Sequence, residues 1–271
     1  MSNHVADSET QVGNDAAPSD YRSLQRAVSL LSQFTPTEQE MGASDLARAT
    51  GLNKGTAHRL AQALVSLGLL EQDEATRRYR LGVRLLEFGA IVQGGLDVRE
   101  RAKPVLARLT EEVGETTYLL VYRDGRAVCV ERIDGIHLLR DLSTQVGSAL
   151  PLNVGAAPVA ILAFLPDEER EAFLATVPSA ERPSLGKLLE RVRREGYAAV
   201  MHGVAVGHGG IAAPVFDREG RVCGALSIGG LAQRLEENAA PLSAAAISAA
   251  AEISRLMGAS GSAAVGKQTS Q

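Results

Sequence analysis

The chain has 271 residues, of which 45% are hydrophobic and 4% aromatic with no Trp, and a formal net charge of −4. That length holds one large domain or two modest ones, and that apolar share builds a core, which excludes low-complexity disorder over most of the chain. Scarce aromatics argue against a stacking platform for single-stranded nucleic acid, and no window of roughly 18 apolar residues predicts a membrane span.

Residues 1–20 are polar with no apolar signal core, and read as a disordered tail of a cytoplasmic, reduced protein. From Tyr21 to Leu81 eight Lys/Arg face six Asp/Glu, or +2 against −6 elsewhere, as in a DNA-binding module joined to an acidic partner domain. "SLQRAVSLLSQF" has helical period, with Leu24, Ala27, Val28, Leu31 and Phe34 on one stripe and Ser23 as the expected N-cap. "SDLARATG" reads as a short helix capped by Ser44, with Leu46 and Ala47 inward and Gly51 past its end. Asn53 can cap a third helix running to about Leu67. "LLEQDEATRRYRL" reads as strand, turn, strand: Leu69–Gln72, Asp73–Thr76, Arg77–Leu81.

Residues 82–97 read as a linker helix. Val83, Leu86, Ala90 and Val92 suit packing against a second protomer or within the chain. Residues 98–257 read as a second domain of mixed type. A helix is expected at Glu100–Val113, and strands at Thr116–Arg123 and Arg126–Ile133 around an Asp-Gly hairpin turn. Further strands are expected in "IHLLRDLS", "IAAPVFD" and "RVCGALSIGG", the last two joined by "DREG". Helices are expected at Ala157–Leu165, Glu168–Ala175, Leu185–Glu195 and Ala240–Met257. This pattern implies an α+β fold with an antiparallel sheet. Residues 258–271 read as a second disordered tail.

The stretch "GLNKGTAHRL" (Gly51–Leu60) carries the densest polar cluster. It is not a phosphate loop, because Lys54 precedes Gly55 and no strand leads in. On a helix capped at Asn53, Ala57, Leu60, Leu64 and Leu67 share one face. Gly55, His58, Arg59 and Gln62 lie opposite, flanked by Lys54 and Thr56. In a major groove, His, Arg and Gln meet base edges, while Lys54, Thr56 and free helix N–H groups meet phosphates. The bland alternative is a solvated surface helix. The preceding short helix and the following ribbon, with Arg77, Arg78, Tyr79 and Arg80 as a wing on the backbone, favour DNA.

These segments, with "RIDG", "LPLNVGAAPVAILAFLP", "RREGYA" and "GGIAAPVFDREGRVCGALSIGG" in the same order, resemble the IclR family of bacterial transcriptional regulators over about residues 21–257. The resemblance implies an N-terminal winged helix-turn-helix, a linker helix and a C-terminal GAF/PAS-like effector-binding domain. It further implies a homodimer or homotetramer on palindromic double-stranded operator DNA, modulated by a small metabolite, with no cofactor, metal or catalysis. The family commonly has Lys-Ser-Thr where this chain has Lys54-Gly55-Thr56. Leu150, Val154, Ala156 and Ala157 match the stretch lining the family's effector cavity, and Ser227 matches a pocket serine. Val200, Gly210 and Gly229 stand where members suited to small oxo-acids carry Asp, Cys and Ser. The expected effector is therefore larger or less polar than glyoxylate or pyruvate, an organic or aromatic acid.

Other readings are weaker. "GHGGIA" (Gly207–Ala212) fits a dinucleotide fingerprint but opens a strand rather than a helix. His202 and His208 are poorly spaced as metal ligands, and either one suits the effector pocket better. Cys129 and Cys223 read as buried thiols, and no Gly-x-Ser-x-Gly is present. The rival functions are an effector-domain enzyme recruited to DNA and a winged-helix module for protein–protein contact.

Overall fold

A computed structural model describes residues 19–259 except 36 and 137–143. The chain divides into two compact units, 1–91 and 92–271.

The first unit opens with α1 (Ser19–Leu31). It starts ahead of Ser23, which lies inside the helix instead of capping it. No Gly or Pro interrupts Ser19–Leu31, so the helix propagates past the serine. The buried residue is Leu30, with Ala27, Leu31 and Phe34 packed against the same core. Leu24 and Val28, expected inward, are 65% and 60% exposed. α2 (Ala43–Thr50) is capped at Gly42, two residues before the expected Ser44. Asp45 Oδ2 accepts the Gly42 N–H at 3.3 Å, which places Ser44 inside the first turn rather than at the cap. Gly51 ends the helix at φ +68, the left-handed conformation that favours glycine.

α3 (Lys54–Ser66) follows, and Asn53 caps it through its side chain. The hairpin β1 (Leu70–Gln72) and β2 (Tyr79–Leu81) pairs antiparallel. β2 starts two residues later than expected because Arg77 turns at φ +58, and β1 starts one residue later, at Leu70. α4 (Arg84–Gly94) runs through Gly89 without a break and leaves Val83, Leu86, Ile91 and Val92 exposed.

The second unit begins at α5 (Asp97–Val113), and continues with β3 (Thr116–Arg123) and β4 (Arg126–Ile133). β5 (Ala149–Pro151), α6 (Ala156–Phe164), α7 (Asp167–Thr176) and α8 (Arg182–Glu195) come next. β6 (Ala198–Met201), β7 (His208–Phe216), β8 (Val222–Leu231), α9 (Ala232–Glu237) and α10 (Ala239–Leu256) complete it. The short edge strands β5 and β6, and α9, are additions to the expected elements. Three or four residues carry too little periodicity to stand out. The strand expected in "IHLLRDLS" falls almost entirely outside the described residues, as does most of each tail; Ser19 and Asp20 are helical.

The sheet has the order β5-β4-β3-β8-β7-β6, antiparallel throughout. α6 and α8 cover one face, where Tyr118, Leu120, Ile161, Leu162 and Leu189 pack. α5 and α10 cover the other, against Leu119, Val121, Leu226 and Ile228. The alternation along β3 follows from the period-2 geometry of a strand.

Gly224 lies on β8 beside Leu120 of β3, and an added Cβ would overlap the Leu120 carbonyl oxygen, a backbone atom. Gly224→Ala is expected to destabilise the second unit by about 3 kcal/mol, measured by urea unfolding; a loss under about 0.5 kcal/mol would contradict the close approach.

Candidate nucleic-acid interface and effector pocket

The first candidate site is the N-terminal half of α3 and the cleft beside it. Asn53 Oδ1 accepts the Thr56 N–H at 2.8 Å, satisfying one of the free donors of the first turn. The helix is held by Ala57, Ala61 and Leu64, all buried. Leu60 is only partly buried and Leu67 is 53% exposed, so the inward stripe is one residue off the expected one at its end. Alanines at 57 and 61 let the helix approach α2 closely.

Lys54, Gly55, His58 and Arg59 are exposed. Among the described residues the side chains of Lys54, Arg59 and Arg77 have no hydrogen bond or ion pair. A cleft of about 400 Å³ brings Lys54, His58, Arg77 and Arg78 together with Gly42, Ala43 and Ser44 at the start of α2. Cationic side chains and the start of α2 thus share one concave surface, together with Asp45, whose carboxylate accepts the Gly42 N–H. A Cβ on Gly55 would meet only Asn53 Oδ1, at 3.6 Å. The missing side chain is therefore not demanded by packing.

The wing residues part ways. Arg77 is exposed at the turn. Arg78 Nη2 donates to the Glu40 carbonyl at 2.6 Å. Arg80 grips Glu71 through Nε and Nη2 at 3.0 and 2.8 Å, holding the Glu71 carboxyl below its ordinary range. Tyr79 does not reach the surface at all. It is 0% exposed and sits in the core of this unit, because its position on β2 points between α2 and α3. It also bridges to Met41 through two backbone hydrogen bonds, at 2.9 and 2.8 Å. Its hydroxyl meets His58 Nδ1 at 2.9 Å and Gln62 Nε2 at 3.0 Å. Gln62 Nε2 also donates to Gln72 Oε1 at 2.9 Å. Gln62 is thus half-buried and tied inward rather than simply presented outward.

The second candidate site is a cavity of about 70 Å³ between the sheet and the start of α6. Leu150, Ala156, Ala157, Gly210 and Ser227 line it, together with Tyr118, Leu120, Thr144, Gly155, Pro158, Val204, His208 and Gly229. Val154, Val200 and His202 are not among its lining residues. Val200 lies in the core cluster beside it. His202 turns outward at φ +59, and its Nδ1 accepts the Gly207 N–H at 3.0 Å. The histidine that reaches the cavity is His208. Strand register explains the lining residues missed in the sequence. Tyr118 stands opposite Ser227 across β3 and β8, a neighbourhood that no local motif records. Gly210 and Gly229 face each other across β7 and β8. A Cβ on Gly210 would lie 3.1 Å from the Ala156 Cβ, and one on Gly229 2.8 Å from the Tyr118 ring. The two glycines therefore make the floor.

Among the described residues no group of three or more His, Cys, Asp or Glu is placed to hold a metal ion, and no helix is long and apolar enough to cross a membrane. Burial pushes the Cys129 thiol up to about 12 and the Cys223 thiol up to about 11.

The sequence matches two family models. One is described as "IclR helix-turn-helix domain", over residues 23–74, and the other as "Bacterial transcriptional regulator IclR C-terminal", over residues 91–255. The chain is 34% identical over 250 residues to the HTH-type transcriptional regulator KipR of Bacillus subtilis (strain 168), covering 88% of this chain and 97% of that one. A solved IclR family transcriptional regulator from Brucella abortus is similar at 27% identity and a TM-score of 0.74, covering 86% of this chain and 92% of that one. An IclR homologue from Microbacterium hydrocarbonoxydans, solved in complex with 4-hydroxybenzoate, is similar at 29% identity and a TM-score of 0.70, covering 87% and 98%.

Since the thiolate is the reactive form, raised thiol pKa values predict inert cysteines. At about pH 8 the folded protein is expected to resist iodoacetamide at both positions, and the urea-unfolded protein to take up two labels by mass spectrometry. Rapid labelling of the folded chain would show that these thiols are accessible and ionised.

Proposed function

The chain belongs to the IclR family and is a DNA-binding transcriptional regulator with an effector domain, not an enzyme; on that footing we propose how its residues divide the work. Asn53, Lys54, Gly55, Thr56, His58 and Arg59 present the start of α3 to the major groove, and Arg77 and Arg78 contact the flanking backbone. The observation that carries this is the set of exposed side chains without a partner among the described residues, Lys54 and Arg77 lining the cleft beside α3 and Arg59 on the same helix. Cations held without protein partners are free to displace counterions from phosphates. This reading places the protein in the cytoplasm, with its operator.

Assembly as a homodimer or homotetramer is supported by exposed apolar side chains on two helices. Tyr21, Leu24 and Val28 of α1, and Leu86, Ile91 and Val92 of α4, are each at least half exposed. A second copy would cover them. A dimer then sets two recognition helices about 34 Å apart on a pseudo-palindrome. Effector binding shifts their placement, with a coupling of about 1–3 kcal/mol.

Lys54→Ala is expected to weaken binding to all duplexes alike and to flatten the slope of log affinity against log salt by about 1. Arg59→Ala is expected to cost about 1–3 kcal/mol at preferred sites only. Gel retardation of the chain's own promoter DNA over a salt series checks both. No retardation at low salt would favour the protein–protein module instead.

For the effector we propose an organic acid less polar than glyoxylate, of the aromatic class. Apart from Ser227, Thr144, His208 and Tyr118, the side chains lining the described cavity are apolar, and no Lys or Arg is among them. A small oxo-acid is nearly all polar and would be buried there without a cationic partner, whereas an aromatic acid has a ring to set against the apolar lining. The open space, about 70 Å³, is below the roughly 150 Å³ that holds a benzene ring, so a ring requires the lining to give way. The 4-hydroxybenzoate held by the Microbacterium relative fits the same class. Benzoate-class acids are expected to raise the melting temperature of the wild type but not of Gly210→Val, in which the floor is filled. A larger shift with glyoxylate or pyruvate at equal concentration would reverse the assignment.

A further inference from the structure

The hydrogen bonds behind α3 form a chain whose direction can be deduced from one end. A carbonyl oxygen only accepts. The Arg77 carbonyl, 3.0 Å from the Gln72 amide, therefore faces its Nε2, which settles which way round that amide lies. Gln72 Oε1 is left as an acceptor 2.9 Å from the Gln62 amide, so Gln62 must turn its own Nε2 towards it. That Nε2 also lies 3.0 Å from Tyr79 Oη, and its two hydrogens serve the two oxygens. Tyr79 is wholly buried, and its hydroxyl has one proton to give. Its remaining neighbour among the described residues is His58 Nδ1, at 2.9 Å. Tyr79 Oη therefore donates to Nδ1, and the proton of the neutral imidazole sits on Nε2. The opposite tautomer would aim two donors at Oη and leave the buried hydroxyl proton without an acceptor.

We propose that His58 offers the major groove a hydrogen-bond donor whose identity is set from inside the protein, and so selects acceptor base edges against the cytosine amino group. The ring is exposed on α3 next to Arg59, and its Nε2 has no partner among the described residues. In the major groove the acceptors are G O6 and N7, A N7 and T O4, whereas C offers only its N4 amino donor. A histidine with a free choice of tautomer can meet either kind of edge. One with Nδ1 occupied by Tyr79 cannot. The same chain restricts Gln62: both its amide hydrogens point inward, so it cannot make the bidentate pair with adenine that an unconstrained glutamine makes. Tyr79, Gln62 and Gln72 are positioning residues that act through His58. The inference deepens the DNA-binding reading and rests on it.

Two measurements test it. The first uses the full chain labelled with 15N-histidine, without DNA, at about pH 8, where an ordinary imidazole is neutral. Long-range proton–nitrogen correlation distinguishes the two ring nitrogens, and His58→Gln identifies the signal. A single Nε2–H tautomer is expected, relaxing to an averaged mixture in Tyr79→Phe. Gln62→Met, on the half-buried face, serves the same purpose if Tyr79→Phe unfolds, because it frees Oη to accept from His58. An Nδ1–H tautomer or an averaged signal in the wild type would overturn the proposal.

The second is selection from a pool of random-sequence duplexes with the purified full chain. The expected result is one position per half-site at which cytosine is disfavoured by about tenfold or more. That bias should vanish in His58→Ala and admit cytosine in Tyr79→Phe. A cytosine preference at the His58-dependent position, or an unchanged bias in a Tyr79→Phe protein whose tautomer has relaxed, would also overturn it. If the pool yields no retained duplex, the DNA-binding reading fails and base selection with it, while the labelled spectrum still judges the tautomer alone.

Discussion

A phenol buried in a small unit must find partners for its hydroxyl, and in this chain that requirement organises the surface proposed to face DNA. Tyr79 fills the space between α2, α3 and the hairpin, and Met41 bonds its backbone on the other side. Burying its hydroxyl unpaired would cost about 1–3 kcal/mol. The partners come from His58 and Gln62, four residues apart on one side of α3. α3 and the hairpin are therefore joined by polar bonds as well as by packing, and the exposed residues at the start of α3 are held at fixed heights relative to the hairpin. Lys54, Arg59 and Arg77 remain outside this network, available for phosphate or base.

The second unit depends on a different constraint, the absence of side chains at four facing positions. Gly209 pairs with Gly230, and Gly210 with Gly229, across β7 and β8. Because side chains alternate between faces, one pair clears space on each side of the sheet. At Gly230 a Cβ would lie 2.6 Å from the Glu115 carboxylate. That carboxylate is nearly wholly buried and is held by Arg234 at 2.5 and 3.1 Å. At Gly210 and Gly229 the space cleared is the floor of the cavity. The ion pair and the pocket thus lie back to back, separated by one layer of backbone. A buried charge pair is poor evidence for net stability, but it sets β3 against α9 on the face opposite the pocket.

The outline was legible without coordinates where a residue signals through its immediate neighbours. Asn53 as a cap, Gly51 as a helix end, and the Asp124–Gly125 turn each depend on bonds spanning a few residues. The helix starts at Ser19 and Ala43 differ from the expected ones because propagation leaves no side-chain mark, and because the second helix is capped by Asp45 reaching back to a glycine N–H rather than by a polar side chain at the cap position. The stripe on α1 was misjudged because its apolar residues serve two surfaces. Ala27, Leu30 and Leu31 meet the core, whereas Leu24 and Val28 face outward. Periodicity reports that a helix is amphipathic but not which of two apolar neighbours it meets.

What the sequence determined by itself was the class of protein, the place of the capped helix α3 and the character of its exposed end. These follow from local spacing: a cap, a small-residue inward face and cations on the first two turns. What only the tertiary structure decided was the fate of residues with two plausible environments. Tyr79 was expected on the wing and is core; either His202 or His208 suited the pocket, with His202 among the expected site residues, and His208 is the one that lines it. A tyrosine on a three-residue strand and a histidine in a glycine-rich loop carry no local signal of which way they turn. That direction is set by partners 17 to 21 residues away for the Tyr79 hydroxyl, and by strand register for the cavity.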